Sequence, residues 1–304
     1  MIDVEIVDAH HHLCSLAAGY PWLSGPPRKR YHGDDTVLRR DYLVEDYLKD
    51  FDGLPLAGSV HIENGAADPA WEAEWVHSQC GRVPTVQVAK ADLADPGAPA
   101  LLEHHAGLDS VRGVRDILNW HPDPYYSHRD RSDLMADPLW RSNFARLELL
   151  DLSFDLQVFP NQLGEAAELA ATFGDTAIVL DHLGMPVDRD ADTLRHWRSG
   201  MIELARRTNV SVKISAMGTT EHAWTLDSIR PLVLQTIEIF GTARCMFASN
   251  FPVDGMYSSL AELYAAFDEI TRDFTHAERA DLFGGSARSF YRMDGRPDPQ
   301  GGTP

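Results

Sequence analysis

The amino-acid sequence predicts a single-domain (β/α)8 barrel on three observations. Short β-rich runs alternate with amphipathic helical stretches over nearly all of the 304 residues. Alternation of that kind means parallel strands joined by helical crossovers. The runs number eight, enough for the strands to close on one another. No G-x-G-x-x-G turn follows the first run, which weakens the rival reading as a doubly wound sheet.

Taken in order, strands are expected at 4–8, 58–62, 85–89, 111–117, 153–159, 177–181, 210–215 and 245–249. Each is a short run carrying Val, Ile, Leu or Phe. Amphipathic stretches at 40–51, 69–80, 138–150, 162–173, 192–208, 227–240 and 260–274 read as helices. Two connections, 13–39 and 119–137, are too long to be plain turns. Both follow strands, which in a barrel sets them over the face where active sites are built. Gly284-Gly285 reads as a turn into a final helix over 286–292, without phosphate-loop spacing. Residues 1–294 are assigned to the barrel, and the Gly/Pro-rich tail 295–304 to disorder. A barrel of about 250 residues plus two loops and a tail accounts for the whole length, so no second domain is needed.

Hydrophobic residues make up 44%, and 27 Lys+Arg against 46 Asp+Glu leave a formal net charge of −19. A polyanion gains nothing from releasing the counterions around nucleic acid, and an acidic membrane surface repels it. No apolar run reaches the roughly 18 residues of a spanning helix. The start, Met1-Ile2-Asp3-Val4-Glu5, has no basic stretch followed by an apolar one, so no secretory signal is expected. Cys14, Cys80 and Cys245 are odd in number and widely spaced, which suits free thiols in a reducing cytosol. The expected setting is cytoplasmic and the expected partner a small molecule, with no nucleic acid and no membrane; a homo-oligomer is left open.

The sharpest local feature is Asp8-Ala9-His10-His11-His12 at the end of the first strand. Strand alternation puts Asp8, His10 and His12 on one face and His11 on the other. Two imidazoles so spaced can converge on one metal ion or one substrate carbonyl, and imidazole suits zinc and similar metals. A chance cluster in a chain with 14 His is the alternative. His182 ends the sixth strand, Asn250 the eighth, and Arg115 lies in the fourth. Barrel enzymes draw their catalytic groups from several strand ends in this way. No G-x-S-x-G elbow is present, which disfavours a serine hydrolase, and Cys14 is expected to pack rather than react.

Together D-x-H-x-H, R-G-V-R, L-Q-V-F-P-N-Q-L, V-L-D-H-L-G-M-P, V-K-I-S and M-F-A-S-N-F-P-V resemble the second amidohydrolase family, over roughly residues 4–291. The resemblance implies a (β/α)8 barrel and hydrolysis of a lactone or a related ring opening. It also implies that His10, His12 and His182 polarise the scissile carbonyl, directly or through one divalent metal, Zn2+ or Mn2+, or without any metal. At the strand-eight position the family usually carries Ser-Asp-Trp-Pro, whose Asp deprotonates the attacking water. This chain has Ser249-Asn250-Phe251-Pro252, and an amide takes no proton at neutral pH.

Three replacements for that carboxylate are open. Glu63 ends the second strand, on the face of His61 by alternation, and is a candidate base, a metal ligand, or an ion-pair partner of Lys213 or Arg115. Asp254, four residues past Asn250, could reach back into the site or cap a turn. The third is a reaction that needs no carboxylate base. Strand four offers Arg115 where dinuclear members of the wider superfamily carry a carboxylated lysine, so a two-metal centre is not expected.

Arg28, Lys29 and Arg30 lie in the first long loop; His121, His128, Arg129 and Arg131 lie in the second, beside Trp120, Tyr125 and Tyr126. Cations and aromatics over a barrel mouth suit a substrate with a flat or apolar body and a carboxylate. Arg115, Trp120, His121, Tyr20, Trp22 and Lys213 are therefore candidate substrate-binding residues, although Tyr20 and Trp22 could equally pack their loop on the rim. The function expected is a lactone hydrolase acting on a small carboxylate-bearing substrate. A metal-dependent decarboxylase or a lactone isomerase on the same scaffold, and a non-catalytic small-acid binding protein, are the alternatives.

Overall fold

The computed structural model describes residues 2–26 and 29–294, with eight parallel strands in sequential order around one sheet. Arg28, the Lys29 side chain and the tail 295–304 lie outside the described residues. The barrel strands are β1 (Ile6–His11), β2 (Leu56–Ile62), β3 (Val86–Lys90), β4 (Val111–Ile117), β5 (Ser153–Gln157), β6 (Ile178–Leu180), β7 (Val210–Ile214) and β8 (Cys245–Phe247). Just past β8 the ring closes. The Asn250 N–H donates to the His10 carbonyl at 2.8 Å, and the His12 N–H to the Phe251 carbonyl at 2.7 Å.

Pleat alternation sorts the side chains into two layers. Val210, Val212 and Ile214 of β7 join the apolar layer beneath the helices, while Lys213 between them is fully buried inside the ring. At one end the interior is apolar: Val7, Ala9, Val60, Val88, Val179 and Met246 cluster with Tyr291 from the C-terminal helical segment. Several crossover helices begin with a capping aspartate. Asp68 and Asp137 each accept two backbone N–H bonds ahead of a proline-led helix, Pro69–Gln79 and Pro138–Phe144.

All eight expected strands are present, with shifted ends. The expected helix at 138–150 is divided into Pro138–Phe144 and Arg146–Leu149. A further helix, Ala98–Ala106, buries only Ala98, Leu102 and His105, too thin an apolar stripe for its period to stand out. Gly284-Gly285 is not a turn. It lies inside a continuous helical run in which a π-helical turn, Asp281–Gly285, joins His276–Ala280 to Ser286–Phe290. A Cβ on Gly284 would sit 3.1 Å from Val7 Cγ2 and 3.2 Å from Val7 N, so this glycine serves close packing on β1.

The first long loop crosses the barrel mouth. Its two ends are pinned by the paired Cys14–Tyr42 backbone bonds, both 2.8 Å. Farther along, three consecutive carbonyls are held by other loops: Arg30 O by the Tyr125 hydroxyl at 2.8 Å, Tyr31 O by His222 Nε2 at 2.9 Å, and His32 O by the Tyr257 hydroxyl at 2.6 Å.

Inside the ring, β4 and β5 approach so closely that a Cβ on Gly113 would lie 2.7 Å from the Ser153 carbonyl oxygen, a backbone atom that cannot rotate away. Gly113→Ala should therefore cost about 1–3 kcal/mol, read as a lower denaturant midpoint. Gly164→Ala, where nothing lies within 4 Å, should be neutral or stabilising by up to about 1 kcal/mol. Equal midpoints for the two variants would refute this account of the interior.

Candidate active site

The site is set by one extra residue in β1. Asp8 pairs with Ser59 and His11 with His61, so three steps along β1 match two along β2. A bulge of this kind breaks the alternation. As a result Asp8 does not share a face with His10 and His12, contrary to the expectation from simple pleating. Asp8 instead looks outward, accepting bonds from Tyr47 Oη (2.8 Å), Ser249 Oγ (2.6 Å) and Ser249 N (2.8 Å). Burial pushes its carboxyl up to about 6 against those donors. His11 also faces outward, stacked on Tyr47 at 4.0 Å. His10 and His12 are left facing inward, with ring centroids 5.0 Å apart; His182 lies 4.6 Å from His10. His182 owes its position to a left-handed backbone (φ 57°) just past β6.

Beneath the three imidazoles lies a fully buried charge network. Lys213 is ion-paired with Asp155 and lies 3.1 Å from Asp181 Oδ1. Its Nζ is also 3.2 Å from His10 Nδ1. Tyr291 Oη reaches up from the closed end to donate to Asp155. Arg115 donates through Nε to Glu63 Oε1 at 2.7 Å and through Nη2 to the Glu63 carbonyl at 2.6 Å, and its Nη1 lies 3.1 Å from Gln157 Oε1 and 3.5 Å from His10 Nε2. Burial first, then the neighbouring Lys213 and Arg115, holds His10 and His182 well below the ordinary imidazole range. Burial, followed by Arg115, lowers His12 to about 4. All three rings are therefore neutral near pH 7. Burial alone would raise Glu63, but Arg115 and Lys90 outweigh it and keep the carboxylate ionised. Asp181 is raised to about 6 by burial, against the pull of Lys213.

Above this floor opens a cavity of about 550 Å³. His12, His182, Asn250, Glu63, Arg115 and Trp22 line it, as the sequence led one to expect. His10 and Lys213 sit below it. Four expected residues are placed elsewhere. Tyr20 is buried (1% exposed) as packing for its loop. The Trp120 backbone is tied to Gln162 and Asn161, and its ring does not line the cavity. His121 stands behind Tyr126 (4.9 Å), 3.4 Å from Asp188. Asp254 is a support rather than a wall: it accepts Gly218 N (2.9 Å), Thr219 N (3.1 Å), Thr219 Oγ1 (2.7 Å) and Asn250 Nδ2 (3.1 Å).

Two further corrections follow. His61 is not beside Glu63, because its Nδ1 accepts the Leu13 N–H on the outer side, away from the cavity. Arg129 and Arg131 are spent on ion pairs, Arg129 with Asp92 and Asp116 and Arg131 with Asp133 and Asp137. Among the described residues the cations that line the cavity are Arg30 (which also lies 3.5 Å from Asp35), Lys90 and Arg115, against Glu63 as the one lining carboxylate. Lys90 went unnoticed in the sequence, although its place at the C-terminal end of β3 was the available signal. Among the described residues no carboxylate forms an ion pair with it; its Nζ lies 3.4 Å from the Ala66 carbonyl.

A divalent metal does not fit the expected trio of His10, His12 and His182. Both ring nitrogens of His10 already face cations, Lys213 Nζ and Arg115 Nη1. The other grouping with ligand spacing, His10, Asp181 and His182, is crowded by the same two side chains, which lie 3.1 Å and 4.0 Å from Asp181. The positive charge a metal would bring is thus already supplied by the chain. Lys213→Met should leave the buried Asp155 without a cation and Asp181 with only Arg115 at 4.0 Å, lowering stability by about 3–5 kcal/mol. It should also open the pocket to a cation, so that zinc raises the melting temperature of Lys213→Met but not of the unaltered protein. Zinc stabilisation of the unaltered protein would overturn this reading.

Comparison with known proteins agrees with the fold. An uncharacterised protein of Sinorhizobium fredii is 38% identical over 96% of this chain and 100% of its own length. An L-fucono-1,5-lactonase of Burkholderia multivorans is 28% identical over 96% of this chain and 97% of its own. A crystal structure of an amidohydrolase from Burkholderia multivorans with bound HEPES superposes with a TM-score of 0.80 at 25% identity, covering 95% of this chain and 99% of that one. Residues 7–293 match the family model described as amidohydrolase, and the chain belongs to that family of hydrolases.

Proposed function

We propose that the protein opens the lactone ring of a small, carboxylate-bearing substrate by hydrolysis. The observation that carries this reading is the charge of the cavity: among the described residues Arg30, Lys90 and Arg115 line it against the carboxylate of Glu63, and no described carboxylate pairs with Lys90, in a chain of net charge −19. Such a local field draws an anion in against the field of the whole surface. The similarity to an L-fucono-1,5-lactonase along nearly the full chain supports the cyclic ester as the bond attacked.

In this reading Lys90 and Arg30 hold the substrate carboxylate, and Trp22, Tyr31 and Tyr126 flank its body. The scissile carbonyl rests over His182 and Arg115. Ser215 Oγ, 2.7 Å from His182 Nδ1, donates to that nitrogen and leaves the proton on Nε2, available to the developing oxyanion. Glu63 acts through Arg115, fixing the guanidinium with two contacts rather than taking a proton itself.

A panel of lactones, with and without carboxylates, followed by acid release in a pH-stat, tests the proposal. Carboxylate-bearing lactones should be opened faster than the neutral L-fucono-1,5-lactone. Lys90→Met should raise KM for the anionic lactones about 10- to 100-fold, the loss of one charge-assisted bond, and leave KM for neutral ones nearly unchanged. Preference for neutral lactones would overturn the substrate class. Release of carbon dioxide from an aromatic acid, or tight binding of a small acid without turnover, would overturn the reaction.

A further inference from the structure

His12 and Asn250 meet in an arrangement with a proton missing. His12 Nδ1 lies 2.9 Å from the Ile62 carbonyl, which can only accept, so in the neutral ring Nδ1 carries the proton and Nε2 presents a lone pair. Opposite that lone pair, at 3.3 Å, stands Asn250 Oδ1, a second acceptor. The amide cannot turn to offer its NH2 instead. Asn250 Nδ2 donates to Asp254 Oδ1 at 3.1 Å and to Thr219 Oγ1 at 3.2 Å, and reversing it would set Oδ1 against a carboxylate. Asp254 is itself held by Gly218 N and Thr219 N. The backbone of Asn250 is left-handed (φ 59°), a conformation Asn tolerates better than most residues, and it aims the side chain at His12. Both groups line the cavity. A neutral ring of this tautomer has no proton to give a carbonyl, so His12 cannot polarise one.

We propose that His12 Nε2 is the general base of the reaction, with Asn250 Oδ1 the acceptor that stabilises the imidazolium it becomes; the proposal rests on the lactone reading above. Water gives a proton to Nε2 as its oxygen bonds to the lactone carbonyl carbon. The imidazolium then donates through Nδ1 to Ile62 O and through Nε2 to Asn250 Oδ1. When the tetrahedral adduct collapses, the bond from carbon to ring oxygen breaks. The Nε2 proton passes to the leaving oxygen, and the products are an alcohol and a carboxylic acid on one open chain. Asn250 and Asp254 are positioning residues; His12 alone exchanges the proton. The strand-eight amide thus replaces a carboxylate base by serving an imidazole on strand one.

The charged and titratable groups facing His12 are Arg115 and Glu63 from β4 and β2, with His10, His11, His61 and His182 around it. Histidine 15N NMR on the full chain at pH 7 should show His12 as the Nδ1–H tautomer. On a lactone that is turned over, His12→Gln should lower kcat by about 10²- to 10⁴-fold. Asn250→Asp keeps an acceptor at Nε2, while its second oxygen meets Asp254 Oδ1 so that the two carboxyls share one proton. The charge brought into direct reach of His12 should move the acid limb of kcat/KM up by about one pH unit or more. An Nε2–H tautomer, an unmoved acid limb in Asn250→Asp, or more than about a tenth of the activity in folded His12→Gln would each overturn the base role while lactone opening stands. If no lactone is opened at all, the reading of the reaction fails first and the base role with it.

Discussion

Two cations buried inside a ring of strands, Lys213 and Arg115, govern everything above them. A buried charge survives only when paired, and here each pairing is also a constraint on geometry. Lys213 bridges Asp155 on β5 and Asp181 past β6, while Arg115 on β4 takes the side chain and the carbonyl of Glu63 past β2. Two of these ties, Lys213 to Asp155 and Arg115 to Glu63, cross the interior between strands that are not neighbours. The same two charges flank both nitrogens of His10 and, added to burial as the larger cause, keep the surrounding imidazoles unprotonated. Structure and reactivity are therefore set by one network: loosening the pairs would free His10 to bind a cation or a proton.

Much of this was legible in the chain itself, and the exceptions have local causes. Eight alternating runs specify a barrel because period-two and helical patterns differ strongly over such lengths. Strand ends specify the site, because that is where parallel barrels expose side chains, and His12, His182 and Asn250 were found by that rule. The bulge in β1 was not legible. It depends on how β1 pairs with β2, and no residue in Asp8-Ala9-His10 announces it. It accounts for the misplacing of Asp8. Tyr20, Trp120 and His121 lie in loops whose paths are decided by distant partners such as Asn161, Gln162 and Asp188, beyond the reach of a periodicity argument. Lys90 could have been read, since it ends a strand like the others.

An amide at Asn250, where the resemblance expects a carboxylate, is less drastic in three dimensions than in one. A carboxylate is still close by: Asp254 sits one contact behind the amide and dictates which way it points. Its negative charge is spread over two backbone N–H groups and a hydroxyl. The field at His12 is consequently softer than a direct ion pair would give, which fits a ring that stays neutral until water hands it a proton.

The strap over the mouth carries a consequence of its own. Arg30, Tyr31 and His32 are held through their carbonyl oxygens, by two phenols and an imidazole from three other loops. Every amino acid offers that oxygen. The side chains that line the cavity from this strap can thus be exchanged without undoing these three fastenings, Arg30 alone also being tied by its side chain to Trp22 O and Asp35. A designer seeking a new specificity could vary side chains here while leaving Tyr125, His222 and Tyr257 alone.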